Sequence, residues 1–231
     1  MDRHLVRCTN CWRNRRSSRL PWSRVHWFWG DERFVPHDHP DSNYGMTRAA
    51  LLAKTPIPAG NIHPIPTEEL TPEQGAAAYE RTLQDDYGAN SLDAARPLFD
   101  VTLLSMGGDG HTASLFSDES ALGETQHWVV AVPSGGSEPR ITLTYPALNS
   151  SRDIIFLAVG GEKRAVVRRA RGGDRTLPAA RSSLSVDSTG VSIATPDGRQ
   201  TLKSGATHGE EPQGPEGGTK GSDRGRRGHT R

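Results

Sequence analysis

The stretch FDVTLLSMGGDGHTASLF, residues 99–116, predicts a buried strand with a functional loop at its end. The run FDVTLLSM is short and apolar, as buried strands are. Directly after it, residues 107–111 hold three glycines, an aspartate and a histidine. One glycine is enough for a turn, whereas several allow backbone N–H groups to approach an oxyanion or a phosphate closely. This loop is therefore a candidate ligand site.

Similar apolar runs recur along the chain and alternate with helical patterns. The predicted strands are residues 25–29, 99–106, 128–132, 140–145 and 153–159, with a short extended piece at 61–65. Helical spacing covers residues 43–54, 71–88 and 161–170. We expect Asn43 to be the N-cap of the first helix, and Thr71, Pro72 and Gln74 to begin the second with a capping box. The alternation predicts an α/β fold with a doubly wound, largely parallel sheet and flanking helices, in a modified Rossmann-like arrangement.

The composition excludes several classes of protein. The chain has 231 residues, 24% of them charged, and a net charge of +1, so neither sign dominates as it would in a nucleic-acid-binding protein. The sequence has no window of about 18 apolar residues, and we expect no membrane span. We expect a cytoplasmic protein, and the sequence does not indicate an oligomeric state.

The hydrophobic content is only 33%, and the deficit lies in the C-terminal part of the chain. Residues 1–24 hold seven arginines, and we expect a disordered Arg-rich leader. Residues 182–231 are rich in Gly, Pro and Arg, and we expect a disordered tail because they bury too little apolar surface to offset the ordering entropy. A single α/β domain is predicted at 25–181. Cys8 and Cys11 in the leader are interpreted as free thiols rather than as half a zinc site or a redox pair.

Three predicted strands end in glycine followed by charged residues. GDER follows residues 25–29, GGDGH follows 99–106, and GGEK follows 153–159. Ligands of parallel α/β sheets bind outside the carboxyl ends of the strands, so these loops form one candidate site. Lys163 opposes the dipole at the start of its helix, which an anion shared with the helix N-terminus would explain. Arg140 is a second candidate cation.

Two segments have competing interpretations. The position of His111 at a strand exit favours a chemical role, and Asp109 either makes an Asx-turn or orients that histidine. The segment HDHPD, residues 37–41, has the spacing of metal ligands. Its flanking prolines, and the absence of a further placed ligand, favour a polar loop, and we expect no metal there.

Five stretches together carry a family resemblance. They are GDERFVPHDHPDSNYG (30–45), IHPIP (62–66), FDVTLLSMGGDGHTASLF (99–116), RITLTYPALN (140–149) and IIFLAVGGEKRAVV (154–167). Over residues 25–181 the chain resembles the 6-phosphogluconolactonases, and the order of the stretches also fits the wider group that includes glucosamine-6-phosphate deaminase. The resemblance implies hydrolysis of 6-phosphoglucono-δ-lactone in the pentose phosphate pathway, without a metal or an organic cofactor.

The resemblance also implies the roles of the site residues. His111 would be the general base, which suits a histidine near its ordinary pKa. Asp109 would orient or tune the site. Backbone donors for the sugar and the developing oxyanion would come from Gly107, Gly108 and Gly110. The remaining substrate contacts would be Asp31 and Arg33 in the sugar pocket, and Arg140 and Lys163 on the phosphate.

The sequence departs from the family at both ends. The family has two βα units before its GDER strand, with a Gly-Gly-Ser phosphate cradle, where this chain has the leader. SGGSEP, residues 134–139, resembles that cradle but lies ahead of 140–145, and is interpreted as a hairpin-like loop. We therefore expect an N-terminally truncated lactonase that is poorly soluble and weakly active. The alternatives are an inactive remnant or a glucosamine-6-phosphate deaminase/isomerase-like enzyme, against which Arg33 and residues 112–114 favour the lactonase.

Overall fold

The computed structural model describes residues 20–182 and, as backbone, two strands beyond them. The strands are β1 (Trp27–Phe28), β2 (Asp31–Arg33), β3 (Ile62–His63), β4 (Phe99–Ser105), β5 (Val129–Val132), β6 (Arg140–Leu143), β7 (Ser151–Val159), β8 (Gly190–Ala194) and β9 (Gln200–Thr201). The α-helices are α1 (Asn43–Ala50), α2 (Pro72–Tyr87), α3 (Tyr145–Asn149) and α4 (Arg164–Arg171). Each predicted strand and helix of residues 25–181 corresponds to one of these elements or to its neighbouring 3₁₀ turn.

The strands pair in three groups. β1 pairs with β3 in parallel, and β4 pairs with β7, which pairs with β8, also in parallel. β2, β6 and β5 pair antiparallel, in that order, and β9 runs antiparallel to β8. The α/β class with parallel pairing and flanking helices is confirmed. The antiparallel group is a feature that the apolar runs do not predict, and it includes the SGGSEP segment as the hairpin loop between β5 and β6.

Helix starts follow local chemistry. At α2 the capping box is confirmed, because the Thr71 hydroxyl accepts from Gln74 N while the Gln74 side chain accepts from Thr71 N. At α1 the N-cap is Ser42, whose extended backbone lets its Oγ accept from Gly45 N at 3.0 Å. The prediction of Asn43 as the cap is therefore wrong by one residue. Asn43 is buried and binds the residues of β2 instead.

The core lies between the sheets and α2. Tyr79 and Leu83 on α2 are fully buried, together with Ile141 of β6 and Phe156 of β7. The Tyr79 hydroxyl accepts from the backbone N–H of Trp29 at 2.7 Å and donates to the carbonyl of the same residue at 3.1 Å. This side chain takes the place of a neighbouring strand and satisfies both backbone groups just after β1. The end of β1 is thereby fixed against the helix.

Two elements lie outside residues 25–181. Trp22 is buried within a 3₁₀ turn, Trp22–Arg24, and stacks on Trp27. The strand β8 pairs with the side of β7 that does not face β4. The bounds of the domain stay a prediction. Residues 1–19, with both cysteines, and the rest of the predicted tail lie outside the described residues.

Across the part of the chain that the structure describes, every helix is too short or too polar to cross a membrane.

Candidate active site

The loop after β4 holds an aspartate–histidine pair. Nδ1 of His111 lies 2.6 Å from Oδ1 of Asp109, and the same oxygen accepts from the His111 backbone N–H at 3.2 Å. Partial burial opposes ionisation of Asp109, but these hydrogen bonds outweigh it and hold the pKa of the carboxyl below its usual value. The carboxylate therefore places a proton on Nδ1 and leaves Nε2 as the basic nitrogen. Asp109 makes an Asx-type turn and orients His111 at once, so the two interpretations do not exclude each other.

Of the three glycine amides in this loop, two are used within it. Gly107 N–H donates to His111 O at 2.9 Å, and Gly110 N–H donates to Gly107 O at 3.1 Å. Neither amide fits the predicted role of donor to the substrate. Within the described residues the Gly108 N–H has no acceptor, so this amide remains the candidate donor to the substrate. Gly107 is needed because a Cβ there would collide with the His111 ring, and Gly110 because it has φ 90° and lies against Leu177.

A tight turn follows the histidine. Ala113 has φ 47°, a left-handed conformation that costs free energy in a residue with a side chain. The turn closes when Leu115 N–H donates to Thr112 O at 2.9 Å. It directs Ser114 back across the site, where Ser114 Oγ donates to Asp31 Oδ2 at 2.8 Å. The strained turn thus ties the loop after β4 to the strand β2.

The face of β2 and β6 presents the predicted charged residues. Arg33 is the Cα partner of Arg140, and Asp31 is the partner of Thr142. Directly opposed residues of an antiparallel pair project from the same face. Like charges in opposed positions destabilise a sheet. The carboxylate of Asp31, with Oδ2 3.8 Å from Arg140 Nη1, offsets part of the repulsion between the two arginines. The arrangement is typical of a site that binds an anion.

Arg140 is held in a largely desolvated position. Its side chain is only 18% exposed, and the buried Nε has no hydrogen-bond partner within the described residues. Burial, and then the positive charge of Arg33, lowers the pKa of the Arg140 guanidinium below its usual value, while Asp31 acts in the opposite direction. The guanidinium lies 5.5 Å from the centre of the Phe116 ring. Phe116 also contacts His111, with ring centroids 4.6 Å apart, so one phenyl ring joins the cation to the histidine.

The hairpin loop before β6 shapes the position of Arg140. A Cβ on the buried Gly135 would lie 2.7 Å from Arg140 Cδ and 2.9 Å from its Cγ. Such distances are too short for carbon atoms, so only glycine allows the guanidinium stem to lie in this place. The Gly-Gly pair of SGGSEP therefore positions an arginine, a role that its resemblance to a phosphate cradle does not indicate.

Glu32 has a structural role between the two charged neighbours on β2. It is fully buried, and its carboxylate accepts from the backbone N–H groups of Asn43 and Tyr44 and from Ser42 Oγ, at 2.7 to 3.0 Å. Burial raises the pKa of Glu32, although these hydrogen bonds oppose the shift. The carboxylate binds the positive end of the α1 dipole and fixes β2 to the helix. Arg33 is held against the start of α1, because its Nη1 donates to Asp41 O and to Asn43 Oδ1.

Lys163 lies at the same edge of the sheet as the histidine loop. β4 and β7 are parallel neighbours, with Ser105 opposite Leu157, so the segments that follow them leave the sheet side by side. Lys163 ends the 3₁₀ turn Gly161–Lys163 and caps α4. This topology fits its predicted place in the site.

The HDHPD segment is a polar loop. The His37 ring lies 2.9 Å from the carbonyl of Ile65, and His39 lies near Asp41 with 3.9 Å between Nδ1 and Oδ2. Among residues 20–182, these side chains are not part of any group of three or more potential metal ligands.

Several site residues were not singled out from the sequence. Ser114 and Phe116 lie in the quoted stretch, but nothing in the sequence indicates their contacts with Asp31 and Arg140. Those contacts depend on the pairing of β2 with β6, which joins segments over a hundred residues apart in the chain.

Comparisons with known proteins place the chain in a family. A family model described as glucosamine-6-phosphate isomerases/6-phosphogluconolactonase matches residues 6–189. The 6-phosphogluconolactonase of a Nostoc species is 46% identical over 148 residues, which are 64% of this chain and 60% of that protein. The human 6-phosphogluconolactonase is 40% identical over 153 residues, 64% of this chain and 57% of that protein. The solved 6-phosphogluconolactonase of Thermotoga maritima aligns with a TM-score of 0.63 at 32% identity, covering 77% of this chain and 75% of that one. The chain spans 60% or less of the length of these two curated relatives.

Proposed function

The chain belongs to the family of glucosamine-6-phosphate isomerases and 6-phosphogluconolactonases, and on that premise we propose that it hydrolyses 6-phosphoglucono-δ-lactone to 6-phosphogluconate. The reaction belongs to the oxidative pentose phosphate pathway. One observation carries the proposal: the Asp109–His111 pair and the desolvated Arg140 lie against the same Phe116 ring. A base and an anion-binding cation that contact the same ring suit a substrate with a carbonyl at one end and a phosphate at the other.

Hydrolysis of the lactone requires an activated water. His111 Nε2 takes a proton from water while the water oxygen forms a bond to the lactone carbonyl carbon. The carbonyl oxygen becomes an oxyanion, to which the free Gly108 N–H donates. The bond to the ring oxygen then breaks, and that oxygen receives the proton held on His111. The products are a carboxylic acid and a hydroxyl group, and the Asp109 carboxylate stabilises the transient imidazolium.

The charged residues would bind the two ends of the substrate. Arg140 and Lys163 would hold the phosphate, because a guanidinium and an ammonium group can donate charge-assisted hydrogen bonds to phosphate oxygens. Asp31, held by Ser114, and Arg33, held by Asn43, would contact the sugar hydroxyls. No cofactor takes part in this scheme, and a cytoplasmic location stays a prediction.

The test is a comparison of substrates with the full chain. We expect 6-phosphoglucono-δ-lactone to be hydrolysed above its uncatalysed rate, and unphosphorylated gluconolactone much more slowly. Glucosamine 6-phosphate should release no ammonia. Ammonia release without lactone hydrolysis would assign the chain to the deaminase branch, and no acceleration of either reaction would contradict both assignments.

A further inference from the structure

A second cluster of titratable side chains lies away from the candidate active site. His26 directly precedes β1, His63 ends β3, and Asp86 lies in the last turn of α2. One ligand atom from each residue can be chosen so that the three atoms all lie within 4.8 Å of one another. The three residues are distinct from those of the candidate active site, and His26 precedes β1 whereas Asp31 and Arg33 follow it.

The contacts inside the cluster compete for one ring nitrogen. Nδ1 of His26 lies 3.1 Å from Asp86 Oδ1 and 3.2 Å from His63 Nε2. A neutral imidazole nitrogen either carries a proton or offers a lone pair. A protonated Nδ1 would have to share its proton between both neighbours, and an unprotonated one would face the carboxylate with its lone pair. A cation between the three atoms satisfies all of them at once.

The spacing fits a transition-metal ion. Bonds of about 2.0–2.2 Å from zinc to imidazole nitrogen and carboxylate oxygen place neighbouring ligand atoms about 3.3 Å apart at a tetrahedral centre. The two measured separations, 3.1 and 3.2 Å, are close to that value. Two imidazoles and one carboxylate are ligands that zinc accepts, with a fourth position left for water.

The rings are held in place before any ion binds. His63 stacks on Phe28 with ring centroids 4.5 Å apart and an angle of 9° between the planes, and it stacks on His26 at 5.3 Å and 19°. His63 is also fixed by strand pairing, opposite Phe28. Such preorganisation lowers the entropy cost of binding. The side chains of His26 and Asp86 remain 43% and 36% exposed, so an ion can enter from solvent.

We propose that His26, His63 and Asp86 form a binding site for a divalent transition-metal ion of the zinc type. The ion joins β1 and β3 to the end of α2. It therefore stabilises the folded chain by binding it in preference to the unfolded one, and it takes no part in lactone hydrolysis.

The test uses the full chain, without a polyhistidine tag, in a Cys8→Ser/Cys11→Ser background that removes the two thiols as zinc ligands. Zn²⁺ is titrated by calorimetry, and the Tm is measured with and without Zn²⁺. The variants are Asp86→Asn and His26→Gln, and the matched control is His127→Gln. His127 is also exposed and pairs with a carboxylate, at 3.3 Å from Glu80 Oε2, but it belongs to no group of three ligands within the described residues.

We expect one Zn²⁺ per chain and a higher Tm in the background protein and in His127→Gln. Binding should weaken at least about tenfold in Asp86→Asn and in His26→Gln, with loss of the Tm increase. Equal binding in all four proteins would place the ion elsewhere and overturn the proposal, as would no binding at all. Should a variant not fold, anomalous diffraction from background-protein crystals grown with Zn²⁺ decides the matter. A peak between His26 Nδ1, His63 Nε2 and Asp86 supports the site, and its absence there overturns it.

Discussion

Nδ1 of His111 lies 2.6 Å from the Asp109 carboxylate, inside a loop where a Cβ on Gly107 would displace the imidazole ring. The pair fixes both the tautomer and the direction of the basic nitrogen. Asp109→Asn keeps the shape but removes the charge, so the ring loses its preferred tautomer. We expect kcat for the phosphorylated lactone to fall about ten- to a hundredfold with little change in KM.

The matched control for this variant is Asp118→Asn. Asp118 is an exposed acid of the same region, and its replacement should leave kcat unchanged. A kcat of Asp109→Asn within twofold of the unaltered chain would contradict the positioning role.

The same pair predicts a dependence of stability on pH. The pKa of Asp109 is lower in the folded chain than in the unfolded one, where it is about 3.9. The contribution of the ionised Asp109 to the free energy of unfolding is therefore fully present above the unfolded pKa, and it is lost as the pH falls through the folded pKa. Urea unfolding of the unaltered chain and of Asp109→Asn, compared in steps of about one pH unit, should show the stabilising effect of the carboxylate above about pH 4. The difference should shrink below about pH 4, and a difference that grew on acidification would contradict the assignment.

Arg140 is expected to bind the substrate phosphate. Replacement by Met keeps the packing of the stem and removes a charge-assisted contact of about 1.5–3 kcal/mol, which should raise KM for the phosphorylated lactone about 10- to 150-fold. The slow rate on unphosphorylated gluconolactone should barely change. The control is Arg152→Met, since Arg152 is 67% exposed and pairs with the exposed Asp100. Equal loss on both lactones would mean that Arg140 holds the fold instead.

Gly135 is expected to act through Arg140. In Gly135→Ala the new Cβ would lie 2.7 Å from Arg140 Cδ, so the guanidinium has to move. We expect a rise in KM for the phosphorylated lactone in the same direction as for Arg140→Met, with a smaller fall in Tm than a core substitution gives. Gly60→Ala is the control, because a Cβ there meets no atom within 4 Å. An unchanged KM in Gly135→Ala would refute the positioning role of the hairpin loop.

Tyr79→Phe tests how the end of β1 is held. The change deletes the hydroxyl that satisfies Trp29 N and O and leaves two buried backbone groups without partners. The free energy of unfolding should fall by about 1–3 kcal/mol. Tyr44→Phe should change it far less, because the Tyr44 hydroxyl makes no hydrogen bond among the described residues. Urea denaturation of both variants gives the comparison, and equal losses would contradict the role of Tyr79.

Local patterns predicted much of this molecule. The capping box at Thr71 depends on neighbours in sequence and has the expected form. The order of strands and helices also brings the charged strand exits toward one edge of the sheet. The α/β class followed from the same short-range signals.

What sequence could not supply was the pairing of distant segments. The opposition of Arg33 to Arg140 depends on an antiparallel register that the apolar runs do not encode. Likewise, Ser114 reaches Asp31 only because a strained turn at Ala113 redirects the chain. The sequence predicts the amides of Gly107 and Gly110 as donors to the substrate, but both amides donate to carbonyl groups within the loop. The composition of the C-terminal segment also does not indicate that Gly190–Ala194 pairs with β7.

We propose that His111 is the base that activates water for lactone hydrolysis. The direct measurement is the rate of 6-phosphoglucono-δ-lactone hydrolysis by the full chain and by His111→Asn, each corrected for the uncatalysed reaction. We predict a fall in kcat of about 10² to 10⁴ with KM nearly unchanged, since Asn keeps the polarity of the site but cannot accept the proton. A near-normal kcat in His111→Asn would show that His111 is not the base.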